Sequence, residues 1–225
     1  MRKFDLLDTE KNINTKRIVG PNLRTIKNRI ISTCRDKRFF DGDRNDGYGG
    51  YIYDGRWQKI AQKICNEYKL ENNSTFLHLN SEKGFLINDI SLLFPQMRVV
   101  GLESSQYAID NSIQSIKKNI IKGDYKYLKN FKDNEFDFVM AMGIYALNLT
   151  NLLECLKEII RISKNSFLTL ASYDDHDNYW LFKNWTLLGS TILTELEWLE
   201  VLEYAGYNSD YYFTNAQNLN LVWQN

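Results

Sequence analysis

The sequence predicts an α/β fold: a doubly wound, mainly parallel sheet with an antiparallel hairpin at the C-terminus. Three observations predict it. Short apolar runs alternate with segments of helical period from Phe76 to Gly206. The composition is that of a packed globular chain, with 44% apolar and 14% aromatic residues and only two prolines in 225. Two β-like runs, Tyr211 to Thr214 and Leu219 to Trp223, then follow each other closely enough to pair as a hairpin.

In chain order, Pro21 is placed to open a helix whose Leu23, Ile26, Ile30 and Ile31 share one face. Asp41 to Gly50 is rich in glycine and Asx residues and reads as a loop. It runs into Tyr51-Ile52-Tyr53-Asp54-Gly55-Arg56-Trp57 and a helix with the apolar stripe Trp57, Ile60, Ala61 and Ile64. Phe76 to Leu79 is a strand, Phe85 to Phe94 a helix that stops at Pro95, Arg98 to Glu103 a strand, and Ser105 to Ile116 a helix. Phe136 to Met142 is a third strand, followed by a helix from Asn151 to Ile162 with Asn151 and Glu154 in capping-box spacing. Ser166 to Ala171 is a fourth strand, and Thr194 with Glu197 caps a last helix that ends at Gly206. The domain division expected is 1–55 as a helical extension and lid, and 56–225 as the catalytic-type domain.

Composition excludes several classes. No run reaches the ~18 apolar residues of a membrane span, and the charged start, Met1 to Glu10, is unlike a secretion signal. Cys34, Cys65 and Cys155 are too widely spaced for a disulfide framework or zinc site, which points to a cytoplasmic protein. With His78 and His176 the only histidines, no metal site is expected. Net charge is zero but uneven: residues 1–44 carry +6 and the remainder −6. A basic extension on an acidic body either steers an anionic ligand or forms a solvated face docked on that body; nucleic acid and membrane partners are not indicated.

In a doubly wound sheet, ligands bind beyond the carboxyl ends of the strands where the strand order reverses. That directs attention to the exit of the first strand, His78-Leu79-Asn80-Ser81-Glu82-Lys83-Gly84, and to Glu103, which ends the second strand about twenty positions on. Beyond these lie Gly123-Asp124-Tyr125 and Asp133-Asn134-Glu135-Phe136-Asp137-Phe138-Val139.

Gly101-Leu102-Glu103, Gly123-Asp124, the run 133–139 and the helix Leu156 to Ile162, in this order and spacing, resemble the class I S-adenosylmethionine-dependent methyltransferases, which have a Rossmann-like fold. The resemblance extends over roughly Tyr48 to Phe213. The entry Gly49 to Trp57 and the tail Trp185 to Phe213 resemble a bacterial subgroup linked to small-molecule and to surface or capsular polysaccharide modification. The resemblance implies S-adenosylmethionine as cofactor, with Glu103 on the ribose hydroxyls, Asp124 on the adenine amino group and the Tyr125 backbone against the ring. It places His78, Asn80, Glu82 and Gly84 in the loop beneath the methionine end. Tyr51, Tyr53, Arg56, Trp57, Tyr145, Ser172, Tyr173 and Trp185 are candidates for a small anionic or sugar acceptor, with Asp174 and Asp175 beside them.

The family's loop is an acidic residue followed by Gly-x-Gly-x-Gly. Here His78 stands for the acid, Asn80 and Glu82 for the first two glycines, and only Gly84 remains. The glycines give positive φ and close approach of the backbone to the ligand. Asn tolerates a left-handed backbone, whereas Glu82 adds a carboxylate near the cofactor's own, to be neutralised by Lys83 if the site is to work. Two functions stay open: O-methyl transfer to a small polar acceptor, a sugar or a phosphorylated compound, or a non-catalytic domain of this fold that binds the cofactor weakly or not at all and acts beside a related methyltransferase or a second copy of itself.

Overall fold

The computed structural model describes residues 1–9 and 15–224, so Glu10 and residues 11–14 of the basic N-terminal stretch lie outside the described residues. The strands are β1 (Arg2–Lys3), β2 (Arg17–Val19), β3 (Thr75–Leu79), β4 (Arg98–Glu103), β5 (Ile120–Lys122), β6 (Phe136–Ala141), β7 (Ser163–Tyr173), β8 (Leu193–Thr194), β9 (Asp210–Thr214) and β10 (Leu221–Trp223). The helices are α1 (Ile26–Thr33), α2 (Lys37–Asp41), α3 (Trp57–Glu67), α4 (Phe85–Leu93), α5 (Gln106–Asp110), α6 (Leu149–Ile162), α7 (His176–Trp185) and α8 (Glu195–Ala205).

The central sheet has the order β1-β9-β7-β6-β3-β4-β5, with β8 also on β7, and every pairing in it is parallel. Strand order reverses between β3 and β6, which defines the switch point. Side-chain alternation divides the core. Phe76, Phe138, Met140 and Phe167 pack on α3 and α4 with Ala61, Ile64, Leu86 and Ile90. Leu77, Leu79, Val139, Ala141 and Leu168 pack on α6 and α8 with Leu152, Ile159, Trp198 and Leu202. His78, two residues after Phe76, therefore shares the α3/α4 face.

The expected C-terminal hairpin does not form. β9 lies parallel to β7, in register Leu168↔Tyr211, because α8 returns the chain to the same end of the sheet before β9 begins. β10 turns away and pairs parallel with β2, Leu221↔Arg17, in a separate small sheet. Residues 215–220 make this divergence: the side chains of Asn215 and Asn218 each accept from the other's backbone amide, at 2.9 and 3.0 Å, and Asn218 Nδ2 donates to the carbonyl of Phe213.

Other boundaries move for local reasons. α1 begins at Ile26, behind a Thr25/Asn28 capping box, and Pro21 lies in the preceding turn. α6 begins at Leu149 because Asn148, not Asn151, is its N-cap: the Asn148 side chain accepts from the amide of Asn151. α5 ends at Asp110, where Asn111 Nδ2 and Ser112 Oγ donate to the carbonyls of Tyr107 and Ile109 and so terminate the helix. α8 keeps the predicted Thr194/Glu197 capping box and ends on left-handed Gly206. Residues 2–3 extend the sheet beside β9, and Leu6 is fully buried against the α3 layer. Among the described residues no helix is long and apolar enough to cross a membrane.

Candidate functional site

The loop from β3 to α4 crosses the switch point. Its backbone is left-handed at alternate residues, with φ of 62° at Asn80, 54° at Glu82 and 77° at Gly84. These are the three positions at which glycine would be the unstrained choice. At Asn80 and Glu82 the glycine conformation persists without a glycine. Asn80 holds its turn by donating from Nδ2 to the carbonyl of Met142, 3.1 Å away across the switch point. A left-handed glutamate costs on the order of 1–2 kcal/mol, so contacts must hold Glu82 in place.

Those contacts are visible. The Glu82 amide donates to Glu103 Oε2 at 2.8 Å, and its carboxylate accepts from the hydroxyl of Tyr48. Burial raises the carboxyl pKa of Glu82, and Arg35 opposes that shift. Lys83, expected to neutralise Glu82, instead pairs with Asp41 at 2.7 Å and donates to the carbonyl of Tyr51. It can do so because a left-handed residue on each side turns Lys83 toward the N-terminal segment.

Glu103 lies at the carboxyl end of β4, beside this loop and fully buried. It accepts the amides of Glu82 and Ser105, the latter at 2.7 Å, and it is closed off by Arg35. Glycine at position 101 makes room for the loop: a Cβ there would stand 2.5 Å from Ser81 Oγ.

A cavity of about 780 Å³ opens above the loop. Of the residues expected to bind a cofactor, His78, Asn80, Glu82, Asp124 and Tyr125 line it, whereas Gly84 and Glu103 do not reach its surface. His78 is buried with neither ring nitrogen hydrogen-bonded, and burial lowers its pKa to about 3. The imidazole is thus neutral and does not repel a cation. The hydroxyl of Tyr125 is likewise buried and unpartnered. Asp124 is exposed, and its Oδ1 accepts the amide of Lys126.

Of the acceptor candidates, Trp57, Tyr145 and Trp185 line the cavity. The others do not. Tyr51 is stacked between Tyr48 and Phe85; Tyr53 donates to Asp89 at 2.6 Å; Arg56 is paired with Asp54. Ser172 is buried one residue from the end of β7, and Tyr173 packs on Tyr179. Asp175 is spent capping α7, and Asp174 accepts from Gln217. β7 continues to Tyr173, two residues beyond its predicted end, which carries these groups past the cavity rather than into it. Sequence reasoning missed Arg24, Arg29, Arg35, Arg44, Tyr48 and Thr169, all of which line it. The +6 charge of residues 1–44 was the one signal pointing to the arginines. Among the described residues no cluster of metal-binding side chains is present, and the three cysteines are unpaired.

Residues 78–166 match the model of a methyltransferase domain family. No curated protein matches the chain. Among solved structures, the [4+2]-cyclase SpnF aligns over 84% of this chain and 74% of its own, with 13% identity and a TM-score of 0.54. The YcgJ protein of Bacillus subtilis aligns over 64% and 66%, with 13% identity and a TM-score of 0.52. A Bacillus halodurans C-125 protein provisionally described as a methyltransferase aligns over 65% and 68%, with 20% identity and a TM-score of 0.51. Other matched structures are spanned over as little as 41% of their length. The all-parallel central sheet, its switch point between β3 and β6 and the domain match at residues 78–166 together give this chain the Rossmann-like fold of the class I S-adenosylmethionine-dependent methyltransferases.

Proposed function

We propose that the protein transfers a methyl group from S-adenosylmethionine to an oxygen of a small polar acceptor. The observation that carries this reading is the left-handed backbone at Asn80, Glu82 and Gly84, which keeps the loop open beneath the cavity although two glycines are replaced. Fold alone does not set the chemistry, as the likeness to a [4+2]-cyclase illustrates. The reading therefore rests on the site. Glu103 would receive the ribose hydroxyls in exchange for Arg35, Asp124 the adenine amino group, and the backbone at Tyr125 the ring. Asn80, Glu82 and neutral His78 would face the methionine end. When bound, the cofactor supplies an electrophilic methyl group.

The acceptor would lie against Trp57, Tyr145 and Trp185, with residues 1–55 as a lid over the domain at 56–225. Tyr145, whose pKa burial raises to about 12, would stay protonated and orient the acceptor by donating a hydrogen bond. An acceptor oxygen that is already anionic needs no base, so positioning would supply much of the acceleration. A place in surface or capsular polysaccharide modification, in the cytoplasm, rests on the resemblance of residues 49–57 and 185–213.

The Arg35–Glu103 pair favours a second reading, in which the carboxylate stays occupied and the domain is non-catalytic, working with a related methyltransferase or a second copy of itself. Calorimetric titration with S-adenosylmethionine and S-adenosylhomocysteine separates the two. Methyl transfer requires saturable 1:1 binding of both, with a Kd of about 100 μM or tighter. Absence of binding by either would leave the non-catalytic reading.

A further inference from the structure

The wall of the cavity that the N-terminal segment and Trp185 build is cationic. Arg24, Arg29 and Arg44 all line it, and Arg17 shares the Trp185 ring with Arg24. Among the described residues none of the four makes an ion pair. Asp46, close in sequence to Arg44, accepts instead from the amide side chain of Asn28.

These guanidinium groups are held in position rather than splayed into water. Arg24 Nη1 donates to the carbonyl of Trp185, and Arg29 Nη2 to that of Lys183 at 2.6 Å. Arg44 Nη1 donates to the carbonyl of Gly47. The Trp185 ring faces two of them, with the guanidinium carbons of Arg24 and Arg17 at 4.7 and 5.7 Å from its centroid. A guanidinium has five N–H donors, so each anchored group keeps several for a ligand. Arg24 itself sits at a φ of 50°, a backbone conformation that an ordinary residue adopts only where its surroundings hold it.

Co-locating cations without counter-charge costs free energy. Burial, reinforced by Arg44, Arg17 and Arg29, lowers the pKa of Arg24 to about 10. Burial also lowers Arg29, and burial with Arg44 lowers Arg17. A multiply charged anion relieves this repulsion and matches the fork geometry of guanidinium groups. A single carboxylate would leave most of the charge unbalanced.

We propose that Arg24, Arg29 and Arg44, backed by Arg17, form an anion subsite that takes the phosphate or diphosphate group of the acceptor. This rests on the methyl-transfer reading for the word acceptor, but the subsite itself does not need the cofactor. Trp185 and Tyr145 would then flank the organic portion between this anchor and the loop.

The probe is inorganic pyrophosphate, titrated calorimetrically into the full chain without cofactor, with S-adenosylhomocysteine titrated separately. The expected result is saturable binding with a Kd of about 0.1 mM or tighter at low salt. The pair Arg24→Gln and Arg29→Gln should weaken it at least about tenfold. Arg44→Gln, at a side chain more exposed than those of Arg24 and Arg29, should weaken it about threefold or more. Lys118→Gln, on an exposed lysine far along the chain, should leave it unchanged. Absence of pyrophosphate binding up to about 10 mM overturns the proposal. So does equal weakening by Lys118→Gln, or indifference to Arg44→Gln. If Arg44→Gln weakens S-adenosylhomocysteine as much as pyrophosphate, the arginines belong to the cofactor's carboxylate and the acceptor subsite is wrong. Pyrophosphate binding with no S-adenosylhomocysteine binding sinks methyl transfer while leaving the anion subsite in place.

Discussion

Arg35 Nη2 lies 3.2 and 3.3 Å from the two carboxylate oxygens of Glu103, so a residue of the N-terminal extension covers the acid that ends β4. The guanidinium carbon also stands 5.2 and 5.5 Å from the ring centroids of Phe39 and Phe40. The extension is thereby fastened at the same carboxylate on which the cofactor reading depends. Removing one member of a buried pair leaves the other uncompensated, although Glu103 would keep two amide donors. Arg35→Ala should therefore cost about 2 kcal/mol in urea unfolding. It should also tighten S-adenosylhomocysteine several-fold, because the ribose no longer competes with a guanidinium. Weaker binding in the variant would show that Arg35 is part of the cofactor's site rather than in its way.

The second prediction concerns Glu82. Glycine there relieves the left-handed strain and removes an anion beside the cavity, at the cost of the hydrogen bond from Tyr48. These stability terms nearly cancel, each being on the order of 1–2 kcal/mol. Affinity should not cancel. Glu82→Gly, and more strongly the triple change His78→Asp, Asn80→Gly and Glu82→Gly, should tighten S-adenosylmethionine by about fivefold to a hundredfold. Wild-type binding at low micromolar Kd, with no gain in the triple variant, would mean that the loop is already competent as it stands.

Gly101 is a steric requirement of the same loop. An added Cβ would meet Ser81 Oγ at 2.5 Å and Ser81 Cβ at 2.9 Å. Gly101→Ala should cost about 1–3 kcal/mol and weaken cofactor binding, since Ser81 lies between the left-handed residues Asn80 and Glu82. The added change Ser81→Gly removes both clashing atoms and should recover part of the loss. Thermal unfolding of the single and double variants checks this, and equal stability of the two would count against the clash as its cause.

His78 gives the pH dependence a sign. Its pKa is about 3 in the folded chain, against an ordinary value of 6.5, because burial excludes the charged form. Between these values the unfolded chain binds more protons than the folded one, so stability rises with pH across the window and is lost as pH falls from 6.5 toward 3. The slope from this one residue approaches ~1.4 kcal/mol per pH unit. His78→Leu should flatten the fall between pH 6 and pH 4 relative to wild type in urea titrations at each pH. An unchanged slope would place the acid sensitivity in other groups.

What the sequence by itself determined is the α/β alternation. The short apolar runs Phe76 to Leu79 and Phe136 to Met142, the Thr194/Glu197 cap and the stop at Gly206 are local signals, and the structure places elements there. The position of Glu103 beside the loop was legible for the same reason, since strand direction and a short crossover fix where a strand ends. Pairing was not legible. β9 and β10 look like hairpin partners in one dimension, yet β9 joins β7 and β10 joins β2, because strand choice depends on which edge is open after the whole chain has packed. Left-handed backbone at Glu82 was likewise hidden, since a glutamate takes it only when Tyr48 and Glu103 hold it there. The arginine rim was visible only as excess charge in residues 1–44. That charge faces the cavity because tertiary structure folds α1 against Lys183 and Trp185, more than 150 residues away in the chain, an arrangement that no local pattern encodes.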